Sequence, residues 1–484
     1  MHCNDAVPYS HWVTCRDLNM NPTTDLSIQN EPLLYRPLIV SVILNWDSDG
    51  SASYMECTLG AGMDAEVIIV GAGAAGLWAA ATAAKLGASV LLLEKTGRAG
   101  TKVLASGGTR CNLTTTLDPQ RAGTLYGDAA HFLAPALRAL PPVAVVQHFH
   151  DLGVNTTTEP ALEKVFPASQ KAMDVRNALL NDALKAGVDI RYRCPVTDIG
   201  FEGEVWTAHT RSGSFTCRKL LLCPGGQSYP KMGTTGDGYS WLRSLGLRVI
   251  PPVPALVPLK SAEHWVTDLT GVSIQTVQAR LLDPKGRVVS KRSRPVVFTH
   301  RGLSGPGAMD LSVHLARAHH DGNAQGWHVA LDLLPQVSMD ALRHQLAEAA
   351  RAPGAPRLVR VIGPGVPSRL LQAVTRQAGL EESNPALNVV NKKRRNKLVD
   401  ALKGLLVPVH GTLSWNKAEV TGGGLDLTLV NRRTMEVRSL PGLYVFGELL
   451  DFTGPIGGLN FQAAFATANL AARHAATRSS VVER

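Results

Sequence analysis

No stretch of this chain reaches the roughly 18 consecutive apolar residues of a membrane-spanning helix. The nearest, Pro37 to Leu44, is far too short. A secretory signal is missing too, because the N-terminus lacks a basic region ahead of an apolar core. The seven cysteines form no C-x-x-C pair and no Cys/His cluster at ligand spacing, so neither a zinc site nor a disulfide framework is indicated. No metal and no membrane are expected, and a reducing, cytoplasmic compartment is. Acidic residues are in deficit, 39 against 49 basic, for a net charge of +10. The deficit is uneven. Residues 1–62 carry two basic and seven acidic residues, a net of −5, which leaves +15 on the remainder. Those 62 residues also lack sustained periodicity, and the expectation is a disordered or mis-assigned extension with Met63 as the natural start. The +15 body fits either an acidic partner such as RNA or ordinary solvated charge. Its densest basic run is Lys392 to Arg395 with Lys397.

What is present is sharpest between Asp64 and Lys95. Glu66 to Val70 reads as a short buried parallel strand, and Gly71, Gly73 and Gly76 supply G-x-G-x-x-G at a strand-to-helix turn. An Ala-rich helix runs through Leu86, Gly87 stops it, and Ser89 to Leu93 forms a second strand ending in Glu94. Gly71 permits the tight turn, Gly73 lets backbone approach a pyrophosphate, and Gly76 lets helix and strand pack closely. The helix tip offers N–H groups to phosphate, and Glu94 stands where ribose hydroxyls are bound. This is a dinucleotide-binding βαβ unit.

A chain of 484 residues exceeds one ordinary core, so two or three domains are expected. A helix is predicted over Asp174 to Ala186, with strands at Asp189 to Val196, Val205 to His209 and Arg218 to Leu222. The Pro-rich stretch Pro251 to Leu259 marks a domain crossing. Beyond it, runs such as Val296 to Thr299 and His328 to Leu333 predict an antiparallel insert. Ser338 reads as an N-cap, and Leu342, Leu346, Leu370, Leu371, Leu398 and Leu402 carry helical periodicity. Strand signals return at Gly411 to Thr421 and Leu443 to Phe446, and a small-residue helix runs from Asn460 to about His474. The expected partition is 63–252 and 420–484 for one discontinuous dinucleotide domain. Between them come a β insert (253–336), a helical subdomain (337–404) and return strands (405–419).

Four further segments carry chemistry: GRAGTKVLASGGTRCNLT (97–114), LCPGGQSYPKMGTTGDGY (222–239), FTHRGLSGPGAMDLS (298–312) and the region from AEVTGGG (418–424) through GELLDFTGPIGGLNFQAA (447–464). With EKVFPASQKA at Glu163 to Ala172, they closely resemble the bacterial flavoproteins related to bile-acid enone reductases, aminoacetone oxidases and a ribosomal dihydrouridine synthase. The likeness runs from Asp64 to about Ala475. It implies an α/β fold with a discontinuous Rossmann-like FAD-binding domain of glutathione-reductase type, a β insert and a small helical subdomain. It also implies FAD rather than NAD as the resident cofactor. This chain departs from the family pattern at Thr109, where a third glycine is usual, and at Leu459, where tyrosine is usual. Thr109 adds a Cβ where backbone approaches the flavin, and Leu459 bears on substrate class.

The resemblance assigns cofactor contacts residue by residue. Gly71, Gly73, Ala74, Ala75 and Gly76 hold the pyrophosphate, with Glu94 and Lys95 at the ribose. Ser106, Gly107, Gly108, Arg110 and Asn112 lie along the flavin, as do Gly225 and Gly226 along the dinucleotide. Val196 meets adenine through its main chain. Gly447 and Glu448 meet the ribityl chain, and Gly457, Gly458 and Asn460 present a helix tip to the flavin pyrimidine edge. Lys102 and Arg110 could neutralise phosphate or flavin charge. Hydride addition to a conjugated C=C–C=O leaves an enolate that needs a proton, for which Cys111 and His300 are the nominated donors. Cys111 also reads as a small buried hydrophobe, and His300 as a structural residue. No second G-x-G-x-x-G is visible, so either NAD(P)H acts as a transient reductant over the flavin or another reductant serves. The expected function is FAD-dependent, NAD(P)H-linked reduction of an activated C=C in a small-molecule substrate. Alternatives are a dihydrouridine synthase acting on ribosomal RNA, an FAD-dependent amine oxidase, and a non-catalytic flavin-binding module.

Overall fold

The computed structural model describes residues 45–46, 52–53 and 63–477. Two units are distinguished, 1–62 and 63–484. In the first, Asn45–Trp46 and Ala52–Ser53 pair antiparallel; the expectation for this extension otherwise falls outside the described residues.

In the second unit, strand Ala65–Val70 pairs in parallel with Val90–Leu93 on one side and with Gly213–Leu222 on the other. Ile68 and Ile69 are wholly buried, as a strand covered on both faces requires, which explains the unbroken apolar run. Asp189–Arg191 extends the sheet beyond Val90–Leu93, and Leu443–Val445 adds a late parallel strand beside Leu220 to Leu222. Gly213–Leu222 is long enough to serve twice. Its first half pairs with Val205–Thr210, which pairs in turn with Val196–Glu202, in an antiparallel meander. The single strand expected over 189–196 is therefore two. Arg193 turns left-handed at φ 53° and Pro195 has no N–H to give a ladder, so the chain leaves one layer for the other there.

Helices Ala74–Lys85 and Leu459–Ala476 pack closely along each other, since both are rich in alanine. Trp78 and Phe465 fill the gap between them, ring centroids 4.9 Å apart. Gly76 is obligatory here: a Cβ would stand 1.8 Å from the Gly71 carbonyl oxygen.

The chain leaves and re-enters this domain side by side. Val249–Ala255 runs antiparallel to Val420–Leu425, with Val253 opposite Gly422. Between these crossings lie a five-stranded and a four-stranded sheet. Helices Met339–Arg351, Ser368–Gln377 and Lys392–Gly404 pack against the latter region through Leu342, Leu346, Leu370, Leu371, Leu398 and Leu402, each at most 1% exposed. Ser338 Oγ accepts from Ala341 N–H at 3.1 Å and caps the first of them. These leucines share one apolar cluster with the insert strands, so helices and sheets form a single body. The expected return strand over 411–421 is interrupted by a turn at Trp415–Lys417, leaving Gly411–Thr412 with the insert and Val420–Leu425 at the crossing.

Candidate active site

A cleft of about 740 Å³ opens where the glycine turn, the 101–112 loop, the crossing strands and the end of the insert converge. Two helix tips face it. Helix Ala74–Lys85 begins at Gly73 and helix Leu459–Ala476 at Gly458; neither has a side-chain cap or an acidic residue in its first turn. Unpaired N–H groups and two positive dipole ends are thus left for an anionic or electron-rich ligand. Glycine is required at both ends of this cradle. Gly71 has φ +105° and a Cβ there would lie 2.6 Å from the Cys223 carbonyl oxygen. Gly458 has φ +83° and a Cβ there would lie 2.1 Å from the Thr114 carbonyl oxygen.

Gly71, Gly73, Ala74, Ala75, Glu94, Lys95 and Val196 line one end of the cleft. Gly76 lies behind it in the helix packing. Both Glu94 oxygens accept main-chain N–H groups, Oε2 from Ala72 at 2.9 Å and Oε1 from Thr96 at 2.7 Å, so this acid ties the glycine turn to the second strand. Lys95 pairs with Asp237 at 2.5 Å. Gly225 also lines the cleft, whereas Gly226 sits behind it, where a Cβ would meet Thr421 Oγ1 at 2.1 Å.

At the other end stand Ser106, Gly107, Gly108, Arg110, Asn112, Gly447, Glu448, Gly457, Gly458 and Asn460. The loop is wound by consecutive left-handed residues, Gly107, Gly108 and Thr109, and then Cys111. Thr109 adopts φ 69° without the freedom of the usual glycine, its side chain exposed. The Asn112 amide bridges elements: it donates to the Thr114 and Val165 carbonyls at 3.0 and 3.1 Å and accepts from Gly458 N–H at 2.8 Å. Leu459 is buried, away from the cleft wall, and its carbonyl accepts from Tyr126 Oη at 2.6 Å. Its replacement of tyrosine therefore alters the core beside the helix tip rather than the substrate surface.

Three expectations need correction. Cys111 is fully buried and absent from the cleft wall, and burial pushes its thiol up to about 12. A sealed thiol cannot reach a substrate. His300 is exposed on a turn outside the cleft; its neighbour Thr299 lines the wall instead. Lys102 and Arg110 are present but already neutralised. Lys102 Nζ donates to Glu448 Oε2 and Ser228 Oγ, both at 2.5 Å. Arg110 pairs with Glu159 at 2.7 Å and lies 4.1 Å over the Phe166 ring.

The insert contributes a grip that sequence reading missed. Buried Asp310 accepts the Ile456 N–H at 2.8 Å, and Arg294 donates to the Ile456 carbonyl. Both hold the turn just before Gly457. Asp310 Oδ2 has no hydrogen-bond partner and lies 3.8 Å from Arg292 Nε. Burial raises Asp310 to about 6 against the pull of that backbone N–H and of Arg294, Arg292 and Lys164. Lys164, Tyr229 and Glu419 also line the cleft. They stand within the segments that carried the family resemblance, but no spacing singles them out. Among the described residues no group of three or more His, Cys, Asp or Glu could hold a metal.

Comparison with known proteins agrees on the framework. Residues 65–474 match the model of the HI0933-like protein Rossmann domain. The chain is 30% identical over 404 residues to an Escherichia coli K12 protein named ribosomal RNA dihydrouridine synthase, covering 83% of this chain and 96% of that one. A Haemophilus influenzae protein of the same name is 31% identical over 409 residues, with the same two coverages. A Clostridium scindens 3-dehydro-bile acid delta(4,6)-reductase is 29% identical over 413 residues, covering 85% of this chain and 98% of the relative.

Proposed function

The chain belongs to the HI0933-like Rossmann-domain family, whose members are FAD-dependent oxidoreductases, and on that premise we propose that it reduces an activated, conjugated C=C. The observation that carries this reading is the cleft itself. Its two uncapped helix tips and glycine cradle fit an extended dinucleotide, and insert residues Val297, Thr299, Ser304 and Met309 line the same cleft. FAD bound there would supply a hydride to substrate. The protein's own part is to hold and shield. The glycine turn and the Ala74–Lys85 tip hold pyrophosphate, and Glu94 secures the turn. The Gly458 tip offers positive potential, worth about 0.3–2 kcal/mol, to charge developing on the pyrimidine edge. Glu448, fixed by Lys102, Ser228 and the Thr421 N–H, would meet the ribityl chain.

NAD(P)H is the proposed donor, binding transiently because no second glycine fingerprint accompanies the first. The proposed location is the cytoplasm. The test is anaerobic: NADH or NADPH should bleach the flavin, and a conjugated enone should restore its colour. Bleaching with neither nucleotide rejects the donor, and no re-oxidation by any conjugated alkene rejects the reaction.

One observation favours a second substrate, uracil in ribosomal RNA, which also contains a C=C–C=O. Lys392, Lys393, Arg394 and Lys397 are exposed at the start of helix Lys392–Gly404. Such a face suits phosphate contacts, and an unpaired base would have to enter the cleft. Ribosomal RNA binding that weakens steeply with salt supports this alternative; binding indifferent to salt speaks against it.

A further inference from the structure

The proposed reduction requires a proton donor, and the cleft wall singles one out by which side chains lack partners. Among the described residues, the charged, hydroxyl and amide side chains lining the cleft are engaged within the protein, with three exceptions. Glu94 accepts two N–H groups, Lys95 pairs with Asp237, and Lys102 pairs with Glu448. Thr101, Thr234 and Thr299 each donate to a carbonyl. Lys164, Tyr229 and Glu419 have no such partner for their terminal atoms.

These three come from separate elements. Lys164 starts strand Lys164–Pro167, Tyr229 precedes the turn Pro230–Met232, and Glu419 immediately precedes the crossing strand Val420–Leu425. Tyr229 is held in a left-handed conformation, φ 55° and ψ 57°, which an aromatic residue rarely adopts. Such a conformation persists only where surroundings impose it. Here they do: Tyr229 N–H donates to the Trp415 carbonyl at 3.2 Å, and Thr234 Oγ1 donates to the carbonyls of Ser228 and Tyr229. Ser228 before it is buried, tied by its N–H to Thr421 and by its hydroxyl to Glu448.

We propose that Tyr229 is the catalytic proton donor of this enzyme, with Lys164 and Glu419 binding the polar end of the substrate and renewing the proton. This rests on the C=C reduction proposed above. Hydride addition at the β-carbon forms a C–H bond and moves the alkene electron pair into an enolate. The enolate α-carbon takes the Tyr229 hydroxyl proton as that O–H bond breaks, leaving a phenolate. The Glu419 carboxylate takes up a proton from solvent through the cleft and passes it to the phenolate, which restores both groups. Electrostatics agrees. Burial, then the nearby Glu419 carboxylate, raises Tyr229, which places the two groups within electrostatic reach of each other. Enclosure raises Glu419 as well, against the pull of Lys164 and Lys102. Burial lowers Lys164.

The test is rapid mixing of the holoenzyme in two half-reactions. Tyr229→Phe keeps the ring and is expected to retain flavin and be bleached by NAD(P)H as fast as wild type. Its re-oxidation by the enone should then slow by about 10²–10³-fold, the range of a lost general acid. Lys164→Met should mainly raise the substrate concentration needed for half-maximal re-oxidation. If wild type is re-oxidised and Tyr229→Phe matches it within about threefold, the assignment of Tyr229 is overturned while the reductase reading stands. If wild type itself is not re-oxidised by any conjugated alkene, the reading of function falls and takes this assignment with it. Should Tyr229→Phe fail to hold flavin, Glu419→Gln provides the second variant: unchanged re-oxidation across several turnovers also overturns the relay.

Discussion

The two walls of the cleft are built on opposite plans. On the cofactor side, backbone does the recognising: glycines clear space, helix tips present N–H groups, and acids such as Glu94 and Glu448 are held by internal hydrogen bonds. On the proposed substrate side, Lys164, Tyr229 and Glu419 come from three distant stretches and, among the described residues, have no hydrogen-bond or ion-pair partner for their terminal atoms. The contrast reflects what each wall meets. A resident dinucleotide presents the same atoms at all times, so its wall can be rigid. A substrate that arrives, reacts and leaves is better served by groups that exchange partners and protons.

The largest effect should come from attacking the rigid wall. Gly76→Val places a Cβ 1.8 Å from backbone that cannot move aside, so both flavin retention and the fold should fail. Flavin content per chain and the thermal midpoint check this; a yellow, stable variant would break the comparison. Next is the grip of the insert on the turn before Gly457. The folded protein raises Asp310 to about 6, from about 3.9 in an unfolded chain. It therefore binds that proton more tightly when folded. The contribution is fully present below about pH 4 and is lost as pH rises through about 6. At about 1.4 kcal/mol per unit, the loss is about 3 kcal/mol. Thermal midpoints measured from pH 4 to 7 should fall less steeply for Asp310→Asn than for wild type; identical slopes would refute the buried grip.

A smaller effect sharpens the flavin-side loop. Thr109 sits at φ 69° with its side chain in solvent, so Thr109→Gly should stabilise the protein by about 0.5–1 kcal/mol, strain relief exceeding the added chain entropy. A denaturant midpoint lower than wild type would contradict this. The smallest effects concern the groups that lie off the wall. Cys111→Ala and His300→Ala should re-oxidise within about threefold of wild type, against the 10²–10³-fold of a lost acid. A large loss in either would place a proton donor where the cleft does not reach.

What was legible in the sequence follows the same division. The glycine spacing at 71–76, the strand ending in Glu94 and the late Gly447–Glu448 pair are local patterns, and local patterns are what periodicity and motifs encode. The six leucines of the insert helices were legible for the same reason. Cys111 reads as a donor because its loop is expected along the flavin, and its neighbours Arg110 and Asn112 do line the cleft. Its own left-handed backbone turns the thiol into the core, which no spacing reveals. Tyr229 and Glu419 were invisible for the converse reason, being 190 positions apart in the chain and gathered only by the crossing strands. The split at Arg193 and the shared core of sheets and helices likewise depend on packing across the whole second unit.

The central claim is that a flavin dinucleotide lies between the glycine turn and the Gly458 helix tip. The most direct measurement is the flavin content of protein purified without added cofactor, followed by reconstitution with FAD. The account predicts yellow protein with one FAD released per chain on denaturation. Colourless protein that takes up no FAD on reconstitution would contradict it.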